Sequence, residues 1–286
     1  MKMTILIFLL ISINAYSGSE DFKLVPDKKN KKLKIIHFKG KKYLQGKVLG
    51  KGAMGHVDLL IPVPSINNLT YVIKNYTFVG KNILGMYKVE KELAMELSKY
   101  NLVPETYFND KEKSMIKKLI HGPALSGLLE KFDKARNPTP WKDPSYPKLV
   151  DFMAKLFFTI HPKLEKENKF LWDLHLNNLM YDLALKRWYI VDANWGRDRA
   201  AELVRVYKGK RGIYQNIFQD WCGSYSGMGI GKKKKDGIGR SVQYLDKFIN
   251  KLKKDLSRRG SSKIIDYFFT THKGKDFSQG KYCKAR

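Results

Sequence analysis

The chain has 286 residues and a mass of 33.2 kDa; 43% of the residues are hydrophobic and 29% are charged. This is the composition of a globular protein, and it argues against a wholly disordered chain and against a polytopic membrane protein. The formal net charge is +28, and most of the 55 cationic residues are lysines. Because proteins that read base sequence depend on the arginine fork, the charge favours an acidic partner or surface over sequence-specific nucleic-acid binding.

The first 17 residues have the pattern of a secretory signal peptide. Lys2 supplies a short basic region, residues 4–13 are almost continuously apolar, and small residues follow up to Ser17. The pattern predicts cleavage after Ser17 and a secreted protein, with a buried strand or an uncleaved anchor as the alternative. No later stretch is apolar enough to span a bilayer, so we expect no membrane span in the mature chain. Cys222 and Cys283 allow one disulfide or none.

The first half of the chain is rich in strand-like segments. Residues 18–33 are basic and polar, and we interpret them as a linker. Apolar residues between positions 86 and 100 recur at steps of three and four, which predicts an amphipathic helix ending before Pro104. The strands predicted around this helix, from β-branched and aromatic content, are Lys34–Phe38, 43–49, Tyr71–Tyr76, 106–108 and 114–120.

The second half of the chain is predicted to be mainly helical. Four prolines between positions 138 and 147 mark a loop, and residues 148–160 form a buried helix that we expect Pro162 to stop. Two short strands are predicted at 178–181 and 188–191, and the remainder is helical and strongly basic. The sequence therefore predicts an α+β protein with a β-rich part at residues 34–121 and a helical part at residues 122–286.

A glycine-rich segment follows the second predicted strand. Gly50, Gly52, Gly55 and Val57 fit the pattern G-x-G-x-x-G-x-V. Glycines let the backbone approach phosphate oxygens without a Cβ in the way. The segment is followed by strand-like residues rather than by a helix, which favours a β-hairpin folded over a phosphate-bearing ligand instead of a dinucleotide fingerprint.

A lysine in a predicted strand needs an anionic partner. Lys74 is flanked by the apolar Val72 and Ile73, and an unpaired ammonium is costly to bury. The helix that follows offers Glu90, which shares the face of its apolar residues, so we prefer it as the ion-pair partner. Glu92 is the reserve, and an exposed position for both glutamates is the alternative.

Two acids and an amide mark the third candidate region. Asp173 is followed five residues later by Asn178, and Asp192 comes at the end of the strand predicted at 188–191. A hairpin between them can return both acids to one site. Asp173 can accept a proton, and Asn178 with Asp192 can offer hard oxygen ligands to a metal ion. Each residue alone could instead cap a turn.

Taken together, these elements follow the order found in protein kinases, and the chain resembles the protein-kinase-like superfamily from about residue 44 to residue 196. The resemblance implies a two-lobed α+β fold, with a β-rich N-lobe at 34–121 containing one helix and a reduced, mainly helical C-lobe at 122–286. The chain also resembles small secreted effector kinases. The C-lobe is expected to be reduced because few residues follow position 196.

The resemblance assigns a role to each candidate. The residues implied to bind ATP are Gly50, Gly52, Gly55, Val57, Lys74 and Glu90. Asp173 would be the catalytic base, with Lys74 holding the α/β-phosphates, and Asn178 and Asp192 would hold Mg²⁺. Residues 115–125 would form the hinge that grips adenine.

The sequence departs from the kinase pattern at three places. Leu171 and Trp172 stand where His-Arg usually precedes the catalytic Asp, which implies competence without activation-loop phosphorylation. The usual Asp-Phe-Gly reads Asp-Ala-Asn from Asp192 onward. A lysine, Lys117 or Lys118, stands at the expected hinge, where apolar or acidic residues are usual.

The expected function is that of a secreted ATP-dependent kinase for Ser/Thr hydroxyls of a protein substrate, which could be a host protein. A secretory-pathway lumen or delivery into another cell would reconcile secretion with the need for ATP. The alternatives are a small-molecule phosphotransferase of the aminoglycoside or choline type, indicated by His175 two residues after Asp173, and a pseudokinase or polyanion-binding scaffold that uses the net charge.

Overall fold

The protein has a mixed α+β architecture, which confirms the predicted class. A computed structural model describes residues 22–26, 34–52, 55–64, 70–76, 83–134, 139–167, 171–172, 174–192, 194–195, 221 and 238–261. A large antiparallel sheet occupies the N-terminal part, and most helices follow it. The predicted signal peptide, both cysteines and Asp173 lie outside the described residues.

Eleven strands and five α-helices are defined within the described residues. The strands are β1 Phe22–Pro26, β2 Lys34–Phe38, β3 Lys41–Gly52, β4 Gly55–Val63, β5 Tyr71–Tyr76, β6 Thr106–Asn109, β7 Ser114–Lys118, β8 Leu171–Trp172, β9 Leu179–Asp182, β10 Arg187–Ile190 and β11 Asn194–Trp195. The helices are α1 Ile83–Ser98, α2 Leu125–Lys134, α3 Ser145–Lys155, α4 His161–Lys166 and α5 Ile238–Leu256. None of the described helices is both long and apolar enough to cross a bilayer.

The N-terminal sheet has seven strands in the order β1-β2-β3-β4-β5-β7-β6, and every neighbouring pair is antiparallel. The sheet curls so that its two edge strands meet. The Asn109 amide on β6 donates a 2.8 Å hydrogen bond to the Phe22 carbonyl oxygen on β1. The residues enclosed by the curl form an apolar core made of Phe22, Ile36, Phe38, Tyr43, Leu60, Ile73, Tyr107 and Ile116.

Strand β1 corrects the prediction that residues 18–33 form a linker. The Phe22 side chain is buried and its ring packs edge-on against Phe38 at 6.5 Å, while Lys23 and Val25 point outward. This alternation is typical of a half-buried strand. The strand was not predicted from the sequence because the strong charge of residues 27–34 dominates the composition of the segment.

A second apolar core joins the helices to the β9–β10 hairpin. Helices α2, α3 and α5 supply half of its buried side chains, and Trp188 on β10 is buried among them. The Trp188 indole N–H donates to the Ser145 carbonyl oxygen at 2.9 Å, and that of Trp221 donates to Leu174 at the same distance. Each large ring therefore enters the core without leaving its polar atom unsatisfied.

The prediction that Pro162 stops a helix is wrong. Helix α3 runs into a π-helical turn at Leu156–Ile160, and α4 follows without a break. In that turn the His161 N–H donates to Leu156, five residues back. Pro162 comes directly after this π turn, a local irregularity of the kind at which a helix accommodates a residue that has no N–H.

Truncation of Phe38 tests the enclosed core of the sheet. Phe38→Ala should lower the free energy of unfolding by about 3–5 kcal/mol, because the ring is buried and contacts four other aromatic rings. Urea denaturation followed by tryptophan fluorescence measures the change. Leu185→Ala, in an exposed turn, should stay within about 0.5 kcal/mol of the wild type. Equal losses in both variants would contradict the described core.

Candidate active site

A cavity of about 790 Å³ lies between the N-terminal sheet and the segment that contains β9 and the end of β10. Six of the candidates from the sequence line it, namely Gly50, Gly55, Val57, Lys74, Asn178 and Asp192. Glu90 lies behind Lys74 and contacts it. The fold therefore brings together residues that are up to 142 positions apart in the chain.

The glycine-rich segment forms one wall of the cavity. Strands β3 and β4 pair there, with Gly52 opposite Gly55 and Gly50 opposite Val57. A Cβ on Gly50 would meet no atom within 4 Å, whereas a Cβ on Gly55 would lie 2.1 Å from the Asn75 carbonyl oxygen. Gly55 is therefore required by the close approach of β4 to β5, while Gly50 leaves its wall of the cavity open.

A buried carboxylate anchors this hairpin, and the sequence analysis missed it. Asp58 is almost fully buried and accepts hydrogen bonds from the side-chain amides of Gln45 and, at 3.3 Å, Asn75. Its other neighbour is His56, whose Nε2 lies 3.0 Å away. The available signal was an acidic residue inside an otherwise apolar strand, a position that requires polar partners.

Lys74 makes two ion pairs at the back of the cavity. Its Nζ lies 2.7 Å from Glu90 Oε2 and 2.7 Å from Asp192 Oδ1. The Lys74–Glu90 pair preferred from the sequence is thus present, and the choice between Glu90 and Glu92 is resolved. Burial by itself lowers the pKa of Lys74, but the Glu90 and Asp192 carboxylates outweigh it and hold that pKa above its ordinary value.

A second ammonium contacts the same glutamate. Lys117 is buried on β7, with its Nζ 2.6 Å from Glu90 Oε1, and the Tyr76 hydroxyl also donates to this carboxylate. Burial raises the pKa of Glu90, yet Lys117 and Lys74 overcome this and lower it to about 2. Of the two lysines considered for the hinge, Lys117 is therefore the one that points into the interior.

Asn178 and Asp192 are held together by the backbone. Asn178 ends a 3-10 turn at Leu176–Asn178, and its carbonyl oxygen accepts a 2.9 Å hydrogen bond from the Val191 N–H. Both side chains line the cavity, so an amide and a carboxylate offer oxygen ligands of the kind that Mg²⁺ binds. Within the part of the chain that the structure describes, no group of three His, Cys, Asp or Glu residues could hold a metal ion.

The neighbours of Asp173 pair with the strand that follows Asp192. Strands β8 and β11 are antiparallel, with Trp172 opposite Asn194 and Leu171 opposite Trp195. This short pairing was not predicted from the sequence, because two-residue strands carry no periodic signal.

No protein-family model matches this chain, and no curated protein matches it either.

Replacement of Glu90 tests the buried cluster. Glu90→Gln should lower the free energy of unfolding by about 3–5 kcal/mol, because two buried ammonium groups lose their shared counter-ion. Glu96→Gln on the same helix is the matched control, since Glu96 also contacts two lysines but both are exposed. Its cost should stay below about 1 kcal/mol. Similar costs for the two variants in urea denaturation would contradict the described burial.

The same variant should change the response to acid. The folded-state pKa of Glu90 is about 2, below its ordinary value of 4.5. Its contribution to stability is therefore present above pH 4.5 and is lost as the pH falls towards 2. Urea titrations across this range should show a shallower loss of stability for Glu90→Gln than for the wild type. Parallel curves would show that Glu90 does not titrate differently in the folded protein.

Proposed function

We propose that this protein is an ATP-dependent phosphotransferase with a two-lobed, protein-kinase-like fold, and that it acts on Ser/Thr hydroxyls of a protein substrate. The observation that carries the proposal is the chain of contacts Glu90–Lys74–Asp192 at the back of a cavity roofed by a glycine-rich hairpin. In this proposal the N-lobe spans residues 34–121 together with β1, and the C-lobe spans 122–286.

The dimensions and lining of the cavity suit a nucleotide. Its volume of about 790 Å³ lies within the range typical of small-molecule sites. Apolar side chains that include Val57, Val72, Leu119 and Ile120 line part of the wall and offer contact area to a purine ring. Lys74 supplies a fixed positive charge for phosphate oxygens. The Gly50 backbone leaves room for the same phosphates.

The residues also fit a magnesium ion. The Asn178 amide and the Asp192 carboxylate would hold it, since both face the cavity and both carry hard oxygen ligands. When bound, Mg²⁺ neutralises phosphate charge during transfer.

Asp173 is the proposed catalytic base. The substrate hydroxyl oxygen forms a bond to the γ-phosphorus, the bond to the β,γ-bridging oxygen breaks, and the hydroxyl proton passes to Asp173. Lys74 binds the phosphate oxygens of the donor, and Glu90 keeps that ammonium charged and oriented. Catalysis therefore comes from positioning and electrostatics rather than from covalent chemistry with the enzyme.

A small-molecule phosphotransferase is the second candidate, and the position of His175 favours it. His175 and Asn177 line the cavity beside Asn178, so an added polar ring is available to a small acceptor. In that case a label from ATP would appear in an added amino sugar or amino alcohol and not in protein. Absence of transfer to any acceptor would instead favour a scaffold that binds polyanions through salt-sensitive contacts.

Incubation of the full chain with γ-labelled ATP and Mg²⁺ tests the proposed activity. We expect label on Ser/Thr of the chain itself or of an added protein, located by mass mapping. Asp173→Ala should lower turnover by about 10²–10⁴-fold while nucleotide binding persists, because it removes the base and leaves Lys74 intact. Asp192→Ala should abolish transfer.

Asp151→Ala is the matched control, because Asp151 lies on α3 and pairs with the exposed Arg259. Its turnover should equal that of the wild type. Undiminished transfer by Asp173→Ala would overturn the assignment of the base, and transfer by none of the chains would overturn the phosphotransferase itself.

The proposed site of action follows from the predicted signal peptide. Secretion would expose the protein to a secretory-pathway lumen or to another cell, where a host protein is the proposed substrate. Expression in a secreting cell should yield a mature N-terminus at Gly18, which N-terminal sequencing of the exported protein can measure. An exported chain that still begins at Met1 would contradict cleavage after Ser17.

A further inference from the structure

Two lysines on neighbouring strands face the same side of the sheet. Lys117 on β7 stands opposite Val72 on β5, and Lys74 is two residues further along β5. Side chains two positions apart share a face, so the two ammonium groups are diagonal neighbours. Like charges at such a spacing repel each other unless an anion lies between them. The Glu90 carboxylate does so, with one oxygen on each lysine.

Lys117 also binds the backbone next to Asp192. Its Nζ donates a 2.9 Å hydrogen bond to the Val191 carbonyl oxygen. Asp192 in turn contacts Lys74 at 2.7 Å. The contacts therefore close into a ring that runs from Lys117 to Glu90, Lys74 and Asp192 and returns to Lys117 through the Val191 backbone.

We propose that Lys117 is a positioning residue that closes this ring and thereby holds α1 and the Val191–Asp192 backbone against the sheet in one arrangement. The ring joins three separate parts of the fold, namely strands β5 and β7, helix α1, and the chain that follows β10. Each part contributes a charged or polar group to it. Among these groups, only Lys117 touches both α1 and the backbone that carries Asp192.

Glu90 and Lys117 have little contact with solvent. Glu90 is 2% exposed and Lys117 is 9% exposed. The small cavity beside them, lined by Glu90, Lys117 and Val191, has a volume of about 10 Å³. That is at the lower limit for a single water molecule. An apolar side chain at position 117 would therefore remove the donor that the Val191 carbonyl has in the wild type.

This inference rests on the proposed function only for its catalytic consequence. Phosphate oxygens that bind Lys74 compete with Glu90 for the same ammonium. A glutamate paired with Lys74 alone would then lose its main counter-ion. Because Lys117 remains on the second oxygen of Glu90, α1 keeps its position while Lys74 engages the nucleotide, and no added phosphate group is needed to hold the helix.

Hydrogen exchange of the full chain tests the ring without reference to activity. In Lys117→Met, which preserves volume but removes the charge, amide exchange in α1 and at Val191 and Asp192 should rise by about tenfold. Exchange in β1–β3 should not change. Lys117→Arg should restore the wild-type pattern, because a guanidinium can still bridge Glu90 and the Val191 carbonyl.

Lys91→Met is the matched control. Lys91 also ties α1 to the sheet region, through a 2.8 Å ion pair with Asp110, but it lies outside the ring. Exchange at Val191 and Asp192 should equal that of the wild type in this variant. A uniform rise over all strands in Lys117→Met, or no rise at all, would overturn the proposal.

Two further results keep the test decisive. If Lys117→Met does not unfold cooperatively, Lys117→Gln replaces it. The Gln amide can still donate to the Val191 carbonyl but offers no charge to Glu90. Amide exchange in α1 and at Val191 should then be faster than in the wild type and slower than in an unprotected chain. Wild-type exchange at Val191 in Lys117→Gln, combined with wild-type exchange in α1, overturns the role of the charge.

Phosphate transfer separates this proposal from the proposed function. Lys117→Met should lower turnover by about tenfold or more, while Lys91→Met matches the wild type and Lys117→Arg recovers most of the activity. Transfer by Lys117→Met at the wild-type rate overturns the positioning role and leaves the phosphotransferase standing. Local loss of protection in a protein whose wild type transfers no phosphate supports the ring and overturns the proposed function.

Discussion

One carboxylate, that of Glu90, determines how the charged interior of this protein can be arranged. Its two oxygens contact Lys74 and Lys117, and the Tyr76 hydroxyl adds a third hydrogen bond. Burial of any one of these charges alone would be unfavourable, so the stability of each depends on the others. Helix α1 is therefore fixed by electrostatics as well as by its apolar face.

The rest of the site is built outward from this constraint. Asp192 reaches Lys74 because the Val191 N–H is held by the Asn178 carbonyl and the Val191 carbonyl is held by Lys117. On the opposite wall the buried Asp58 carboxylate fixes the base of the glycine-rich hairpin. Polar groups that are satisfied within the protein thus position both walls of the cavity, and separate apolar cores support them.

Much of this arrangement could be predicted from the sequence. The strands at Lys34–Phe38 and Tyr71–Tyr76 have the predicted bounds, because β-branched and aromatic residues are concentrated there. The Lys74–Glu90 pair followed from the cost of burying a lone ammonium. Lys117 was not recognised as a partner of Glu90, since a lysine in a strand gives no sign of which face it occupies until the register with β5 is known. The continuation through Pro162 depends on a π turn that has no sequence signature.

The contact between β1 and β6 limits how far the chain can be shortened from its N-terminus. Phe22 offers both its ring to the enclosed core and its carbonyl oxygen to Asn109, so it closes the sheet in two ways at once. Proteolytic removal of residues from β1 would break the contact between β1 and β6 and expose the aromatic rings of the enclosed core that Phe22 covers. If the signal peptide predicted from the sequence is removed after Ser17, only four residues separate that cut from Phe22, and cleavage a few residues further downstream would remove part of the β1–β6 contact.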